Sequence, residues 1–248
     1  MDSAPLISII TITYNAATVL PTTMKSVATQ SFRDFEHLII DGASTDDTLL
    51  VGRSNPDTRI ISEPDKGLYD AMNKGLKAAR GKYVIFLNAG DAFRDNDVLE
   101  DYAQAAAKDA DIIYADTMIV NAEGHDISPR HYSVPDTLTH DSFSRGMLIC
   151  HQAFMVKRNL APEYNLAYRF SADYDWTIRC INKSIPEKCI NLKRVAINYL
   201  SDGLTDRNKW ASLRERYHVM ADHYGHSAAL RRHATLILAK LIPSLDRR

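Results

Sequence analysis

The sequence has few cysteines and no paired cysteine motif. Its three cysteines, Cys150, Cys180 and Cys189, are odd in number and lack C-x-x-C spacing. This pattern favours a reduced, cytoplasmic protein without structural zinc. The sequence also lacks an apolar run of about 18 residues, the length that a membrane-spanning helix needs. No basic region precedes the first apolar run, so a signal peptide is not predicted.

An excess of charge of either sign is also missing. The net charge is −1 over 248 residues, so no overall field attracts nucleic acid. The sequence contains no G-x-G-x-x-G after the first strand and no G-x-x-x-x-G-K-[ST]. It contains no G-x-S-x-G or H-E-x-x-H either. These absences argue against Rossmann dehydrogenases, P-loop ATPases, hydrolases with a nucleophile elbow and zinc peptidases.

What is present is a pattern repeated over the first 91 residues: an apolar strand-like run, then polar or acidic residues, then a helix signal. The runs are Leu6–Ile12, His37–Ile40, Arg59–Ser62 and Tyr83–Leu87. Strands that alternate with helices predict a parallel sheet, whose ligands bind beyond the carboxyl ends of the strands. The polar clusters should therefore meet along one edge. Their carboxylates favour a divalent cation and a phosphorylated ligand.

The rest of the chain shows further helix and strand signals. Helices are predicted at about 17–29, after 44–46, and at 68–79, 99–108 and 174–182, with strands at 112–120, 147–156 and 193–200. Residues 125–147 are predicted to form a loop-rich segment over the site. We expect one domain over 1–205, with a nucleotide-sugar half at about 1–120 and an acceptor half at about 121–205. A helical extension is expected at 206–248.

Four sequence motifs, in this order, resemble family-2 glycosyltransferases. They are the runs at 7–15, 39–46, 63–67 and 86–91: ISIITITYN, IIDGASTD, EPDKG and FLNAGD. Enzymes of this family are inverting and use nucleotide-sugars. The resemblance implies an α/β fold of the GT-A type, with a Rossmann-like, mostly parallel central sheet flanked by helices and with C-terminal helices.

The resemblance also implies roles on the donor side. Asp41, at the end of the second strand, would accept hydrogen bonds from the N–H of uracil or thymine. The alternative is a turn residue that caps the next helix. Further donor contacts are implied for Thr13, Tyr14, Asn15, Asp65, Asp70 and Asn73. Thr13 and Asn15 could instead form a simple strand-to-helix turn, and Asp70 and Asn73 could lie on a solvated helix face.

The acidic turn after the fourth strand is the predicted metal site. Mg²⁺ or Mn²⁺ would neutralise the diphosphate leaving group, and such hard cations prefer carboxylate oxygen. The family usually has D-x-D or D-x-D-D here, whereas this sequence has Asn88, Ala89, Gly90 and Asp91. Asp91 is therefore the candidate metal ligand. The first three residues are assigned to the nucleotide-sugar.

The acceptor side is predicted around residues 151–176. Asp173 resembles the family's catalytic base, which takes the proton of the attacking hydroxyl. Asp175 is the alternative base, and Asp173 could instead be a helix-capping acid. His151 and Gln152 interrupt an apolar strand signal and are candidates for acceptor contacts. A buried core histidine is an equally good interpretation of His151.

The sequence thus predicts an inverting glycosyltransferase that serves polysaccharide or glycolipid assembly. The donor would be a UDP- or dTDP-sugar, and the acceptor a carbohydrate or a lipid-linked saccharide. One alternative is a sugar-nucleotide nucleotidylyltransferase. The turn at 13–17 has neither the glycine nor the lysine expected for holding a triphosphate. The other alternative is a non-catalytic nucleotide-sugar-binding module.

The C-terminal tail carries a predicted amphipathic stripe. Its members are Leu230, Ala234, Ile237, Leu238 and Leu241, with Arg231, Arg232, Lys240, Arg247 and Arg248 outside the stripe. An apolar face bordered by cations suits an anionic membrane surface on the cytoplasmic side. Packing on the protein's own domain, or a homodimer contact, is the alternative.

Overall fold

The computed structural model describes residues 4–201 and 209–231. Its strands are β1 (Ile7–Thr13), β2 (Phe35–Asp41), β3 (Thr58–Ser62), β4 (Tyr83–Phe86), β5 (Ala92–Phe93), β6 (Ile112–Val120), β7 (Asp126–Pro129), β8 (Phe154–Lys157) and β9 (Cys189–Leu200). Its α-helices are α1 (Leu20–Ala28), α2 (Thr48–Gly52), α3 (Leu68–Ala78), α4 (Val98–Ala106), α5 (Ala172–Ile181) and α6 (Lys209–Tyr224). Short 3-10 helices span His140–Arg145, His151–Ala153 and Pro186–Lys188.

The strands form one sheet in the order β3-β2-β1-β4-β8-β6-β9-β5, with β7 paired to β6. Strands β1 to β4 pair in parallel, as the repeated pattern predicts. Strand β8 then inserts antiparallel between β4 and β6, and β5 and β7 also pair antiparallel. The α/β class is confirmed. Strands β6 and β9 pair in parallel over the longest register of the sheet, so the sheet is mixed and most of its paired residues are parallel.

The sheet is covered on both faces, which explains why its central strands read as continuous apolar runs. In β1, Ile10 and Ile12 face a core layer built with α3, α5 and α6. Ile7 and Ile9 face the opposite layer, built mainly with α4. All seven residues of β1 are buried. This rigid strand fixes the position of the polar residues that follow it.

Two predictions for the second half differ from the structure. The apolar run at 147–156 gives only the short strand β8, preceded by a 3-10 helix at His151–Ala153, because the side chains of His151 and Gln152 are drawn into buried contacts. The segment at 125–147 contains the edge strand β7, whose residues are all exposed and therefore show no apolar alternation.

Helix α6 confirms the helix signal after residue 206 and packs against α5. The tail stripe lies largely outside the described residues: of its apolar members only Leu230 is described, and it is exposed. The membrane-surface interpretation stays a prediction. Over residues 4–201 and 209–231, no helix is long and apolar enough to cross a membrane.

Candidate active site

Asp41 ends β2 and is fully buried. Its carboxylate accepts hydrogen bonds from the Thr13 hydroxyl (2.9 Å), the Ser62 hydroxyl (2.7 Å), the Ser44 backbone N–H (2.9 Å) and the Ser44 hydroxyl. Burial raises the pKa of Asp41, but these hydrogen bonds outweigh it and hold the pKa below its usual value. Because a carboxylate has about four acceptor positions, Asp41 is saturated within the protein. It ties the ends of β1, β2 and β3 together.

Asn15 connects the loop after β1 to the loop after β2. Its backbone adopts the left-handed conformation (φ 48°), which asparagine tolerates better than most residues. The Asn15 N–H donates to the Ser44 hydroxyl (2.8 Å), and its side-chain oxygen accepts from the Thr45 N–H (2.9 Å). The backbone N–H and the side-chain oxygen of Asn15 therefore join the two loops at this edge of the sheet.

Tyr14, Gly42 and Asp65 form an open niche at the same edge. The Tyr14 side chain is 69% exposed. A methyl group at Gly42 would lie 2.4 Å from Asp65 Oδ2 and 3.4 Å from the Tyr14 ring, so only glycine allows this approach. Asp65 Oδ1 accepts from the Gly67 N–H (2.8 Å). The niche thus offers an aromatic ring beside a carboxylate oxygen, a combination suited to a planar base that carries an N–H.

Helix α3 follows this niche and carries Asp70 and Asn73. Asp70 Oδ2 accepts from the Lys66 N–H (3.0 Å), which fixes the entry to the helix. The buried Asn73 side chain accepts from the Tyr164 N–H (2.7 Å) and donates to the Tyr164 carbonyl (3.1 Å). Asn73 therefore anchors the segment that leads to α5, and both polar atoms of its amide already have a protein partner.

The turn after β4 is built around Asp91. Gly90 has a φ of 99°, and a side chain there would meet Leu200 at 2.7 Å. The Asp91 carboxyl is 4% exposed, with Oδ1 accepting from the Leu200 N–H (3.0 Å) and Oδ2 from Gln152 Nε2 (2.9 Å). The side-chain oxygen of Asn88 is buried without a partner among the described residues. Asn88, not Asp91, is the residue of this turn with an uncommitted oxygen.

The assignment of Asp91 as a metal ligand stays a prediction. Over residues 4–201 and 209–231, no three His, Cys, Asp or Glu side chains cluster in a way that could hold a metal ion. Both Asp91 oxygens are engaged, and burial raises the pKa of Asp91 from 3.8 to about 7. A cation that binds Asp91 would therefore displace a proton from this carboxyl.

The raised pKa of Asp91 has a measurable consequence for stability. Between about pH 4 and 7 the unfolded chain releases this proton and the folded protein keeps it. The folded state therefore binds more protons, and the free energy of unfolding falls as pH rises, by at most about 1.4 kcal/mol per pH unit. We expect Asp91→Asn to remove this part of the slope. Urea unfolding of both proteins from pH 4.5 to 7.5 measures it, and parallel curves would contradict it.

His151 and Gln152 are buried, at 4% and 6% exposure. His151 Nε2 contacts the Tyr164 hydroxyl at 2.6 Å, and its ring packs on Phe86 and Trp176. Burial lowers the pKa of His151 to about 4, so its ring is neutral. The structure brings these two side chains to Asp91 and Tyr164. They belong to the packed floor beneath the site and do not lie on its open surface.

Asp173 and Asp175 open helix α5 but have different surroundings. Asp175 is buried, with Oδ2 bound to Arg179 (2.8 Å) and Oδ1 to His223 Nε2 (2.8 Å). Burial raises its pKa, but the hydrogen bond from His223 and the charge of Arg179 lower it by more, so the pKa lies below the usual value. Asp173 is half-buried, and its Oδ1 accepts from the Tyr69 hydroxyl (3.0 Å) and the Tyr174 N–H (2.9 Å). No described residue bonds Asp173 Oδ2, so this oxygen is available to a substrate.

Helix α6 holds the loop before α5, a role that no sequence motif indicated. Glu215 accepts from the backbone N–H groups of Arg169 (2.9 Å) and Phe170 (2.7 Å). The Tyr168 hydroxyl donates to Asp222 at 2.8 Å. Glu215 and Tyr69 are the main site residues that the sequence did not reveal. Tyr69 reads as part of the apolar face of α3, and a lone acid on α6 reads as a surface charge.

Comparison with known proteins identifies the chain. The sequence profile described as Glycosyl transferase family 2 matches residues 8–164. The chain belongs to this family. A "PGL/p-HBAD biosynthesis glycosyltransferase" of Mycobacterium bovis is 36% identical over 193 residues, covering 73% of this chain and 71% of the relative. This glycosyltransferase is therefore an enzyme, and the nucleotidylyltransferase and binding-module alternatives are not supported.

Solved structures confirm the GT-A fold of this family-2 glycosyltransferase. S. aureus TarS 1-349 in complex with UDP-GlcNAc superposes with a TM-score of 0.73 at 18% identity, covering 88% of this chain and 66% of that chain. Glucosyl-3-phosphoglycerate synthase from Mycobacterium tuberculosis, in complex with Mn2+ and UDP, has a TM-score of 0.61 at 14% identity. It covers 89% of this chain and 80% of that chain.

Proposed function

We propose that this glycosyltransferase moves a sugar from a UDP- or dTDP-sugar to an acceptor hydroxyl with inversion at the anomeric carbon. The observation that carries the proposal is the half-buried Asp173 carboxylate, which keeps Oδ2 free at the start of α5. Oδ2 takes the proton of the hydroxyl as its oxygen bonds to the anomeric carbon. The bond from that carbon to the diphosphate breaks, and the electron pair leaves with the nucleotide.

Inversion is supported by the different surroundings of Asp173, Asp175 and Asp91. A single displacement needs one base, whereas retention through a covalent intermediate needs a further nucleophile. Asp175 is committed to Arg179 and His223, and Asp91 to Leu200 and Gln152. Of these three acids, Asp173 is the one with a free oxygen.

For the donor, we place the nucleobase in the niche of Tyr14, Gly42 and Asp65. The ring supplies a stacking face, and Asp65 Oδ2 accepts from the N–H of uracil or thymine. Asp41 acts beneath the niche by fixing the strand ends. The UDP in the related structures supports this class of donor.

The Mn2+ in related structures supports a divalent cation, which when bound would neutralise the diphosphate. The Asn88 oxygen is the uncommitted ligand atom of the turn. Asp91 in the same turn would supply the carboxylate ligand, and no step of the mechanism is assigned to the metal. For the acceptor, a carbohydrate or a lipid-linked saccharide stays the proposal, and the Mycobacterium bovis relative is named for PGL/p-HBAD biosynthesis.

The donor proposal is tested by thermal unfolding with UDP-glucose, UDP-GlcNAc, dTDP-glucose and GDP-mannose. A ligand at 100 times its dissociation constant stabilises the folded state by about 2.7 kcal/mol. We expect at least one UDP- or dTDP-sugar to do so. Asp65→Ala should reduce this stabilisation, because the nucleobase N–H then has no carboxylate acceptor. Uridine without phosphate is the control. Stabilisation by GDP-mannose alone, or an unchanged response of Asp65→Ala, would contradict the niche.

A further inference from the structure

Tyr69 connects helix α3, on the donor side, to the proposed catalytic base Asp173. It lies in the first turn of α3, directly before Asp70, and its side chain is 7% exposed. Its hydroxyl donates to Asp173 Oδ1 at 3.0 Å. Its ring stacks on that of Tyr164, with 5.7 Å between the centroids. Because Asn73 of the same helix holds the backbone of Tyr164, the position of the Tyr69 ring is set from two sides.

The two carboxylate oxygens of Asp173 have different hydrogen-bond partners. Oδ1 accepts from the Tyr69 hydroxyl and from the Tyr174 N–H, whereas Oδ2 has no partner among residues 4–201 and 209–231. Two donors on one oxygen fix the torsion of the carboxylate. Burial and the neighbouring Asp173 charge hold the pKa of Tyr69 well above its usual value, so its hydroxyl remains a donor.

We propose that Tyr69 is a positioning residue for the catalytic base and that Asp173 Oδ2 is the atom that receives the proton. The inference rests on the proposed function. The acceptor O–H bond breaks and its proton goes to Oδ2, while the Tyr69 hydroxyl keeps its own proton. The Asp65–Gly67 loop leads directly into α3, which carries Tyr69. The same helix therefore positions both the donor niche and the catalytic base Asp173.

The test compares Tyr69→Phe, Asp173→Asn and the double variant in the full chain. The matched control is Tyr83→Phe, which also removes a buried tyrosine hydroxyl. The Tyr83 hydroxyl bonds the Ala110 carbonyl (2.6 Å), and Tyr83 lies at the amino end of β4, away from the site. The rate is the release of UDP from UDP-GlcNAc, or of nucleotide from whichever sugar stabilises the protein most, under single-turnover conditions. UDP affinity is measured by calorimetry.

Tyr69→Phe should lower the rate by about 10- to 100-fold, the worth of one hydrogen bond to a charged group. UDP affinity should stay unchanged, and Tyr69→Phe should have no further effect in the Asp173→Asn background. A wild-type rate in Tyr69→Phe, or an equal additional loss in the double variant, overturns the inference. A wild-type rate in Asp173→Asn instead overturns the base assignment of the proposed function.

A second experiment, by NMR, tests the contact between Tyr69 and Asp173 without measuring turnover. In protein labelled with 13Cγ-aspartate, the Asp173 signal is the one that disappears in Asp173→Asn. Tyr69→Phe should shift this signal, and Tyr83→Phe should not. An unshifted Asp173 signal in Tyr69→Phe would show that the two side chains do not interact and would overturn the inference.

Discussion

Replacement of Asp173 with asparagine is expected to lower the transfer rate by about 10²–10⁴-fold, or roughly 3–5 kcal/mol of barrier. Asparagine keeps an oxygen that can accept from Tyr69 and from the Tyr174 N–H. It places an amide, which cannot take a proton, where Oδ2 stands. Nucleotide affinity should survive, because the nucleobase niche is formed by other side chains. Rates of nucleotide release and calorimetric affinity for UDP measure the two effects.

A purely structural role for Asp173 gives a different result. If Asp173 only capped α5, Asp173→Asn would leave the rate per folded molecule unchanged, because asparagine caps a helix about as well as aspartate. We expect the free energy of unfolding to stay within about 0.5 kcal/mol of the wild type. Equal losses of nucleotide affinity and rate would also contradict the assignment, because they would place Asp173 on the donor side.

Replacement of Asp175 with alanine is expected to lower the free energy of unfolding by about 3 kcal/mol. The change leaves Arg179 and the half-buried His223 without their carboxylate partner. Removal of one member of a buried ion pair costs more than the pair itself contributes, because a desolvated charge is left behind. Urea unfolding at pH 7 measures the loss.

Asp222→Ala is the matched control for Asp175→Ala. Asp222 lies on α6 next to His223 and bonds the Tyr168 hydroxyl, but it is exposed. Its loss should cost less than about 1 kcal/mol. If Asp175→Ala were no more destabilising than Asp222→Ala, Asp175 would be solvated and free to compete as the base.

The elements that the sequence predicted well are those with strong local signals. Strand β6 was predicted with its observed bounds, and β1 to within one residue at each end, because both contain long apolar runs. The direction of β8 was not predictable, since periodicity does not distinguish parallel from antiparallel pairing. The strand prediction at 147–156 was too long, because the burial of His151 depends on Tyr164 and Trp176 from later in the chain.

For the site, too, the sequence predicted what depends on local signals and missed what depends on tertiary contacts. Motifs indicated which polar residues follow which strands, and the structure places Asp41 and Asp65 close to the same edge. Motifs did not indicate which oxygens are free. Asp41 is saturated by hydroxyls from three segments, and the Asp91 carboxyl is engaged by residues 61 and 109 positions later. These hydrogen bonds are made by tertiary contacts, so the local spacing of residues in the sequence does not reveal them.

The turn around Asp91 also bears on the order in which the protein folds. Its hydrogen bonds join it to Thr23, 68 positions earlier, and to Gln152 and Leu200, 61 and 109 positions later. During synthesis from the N-terminus, β1, β2 and β3 can pair before Gln152 or Leu200 has been made. Closing such long loops is entropically slow. The β1–β3 part of the sheet can therefore form first, and the hydrogen bonds of Asp91 are completed only when Leu200, the last residue of β9, is in place.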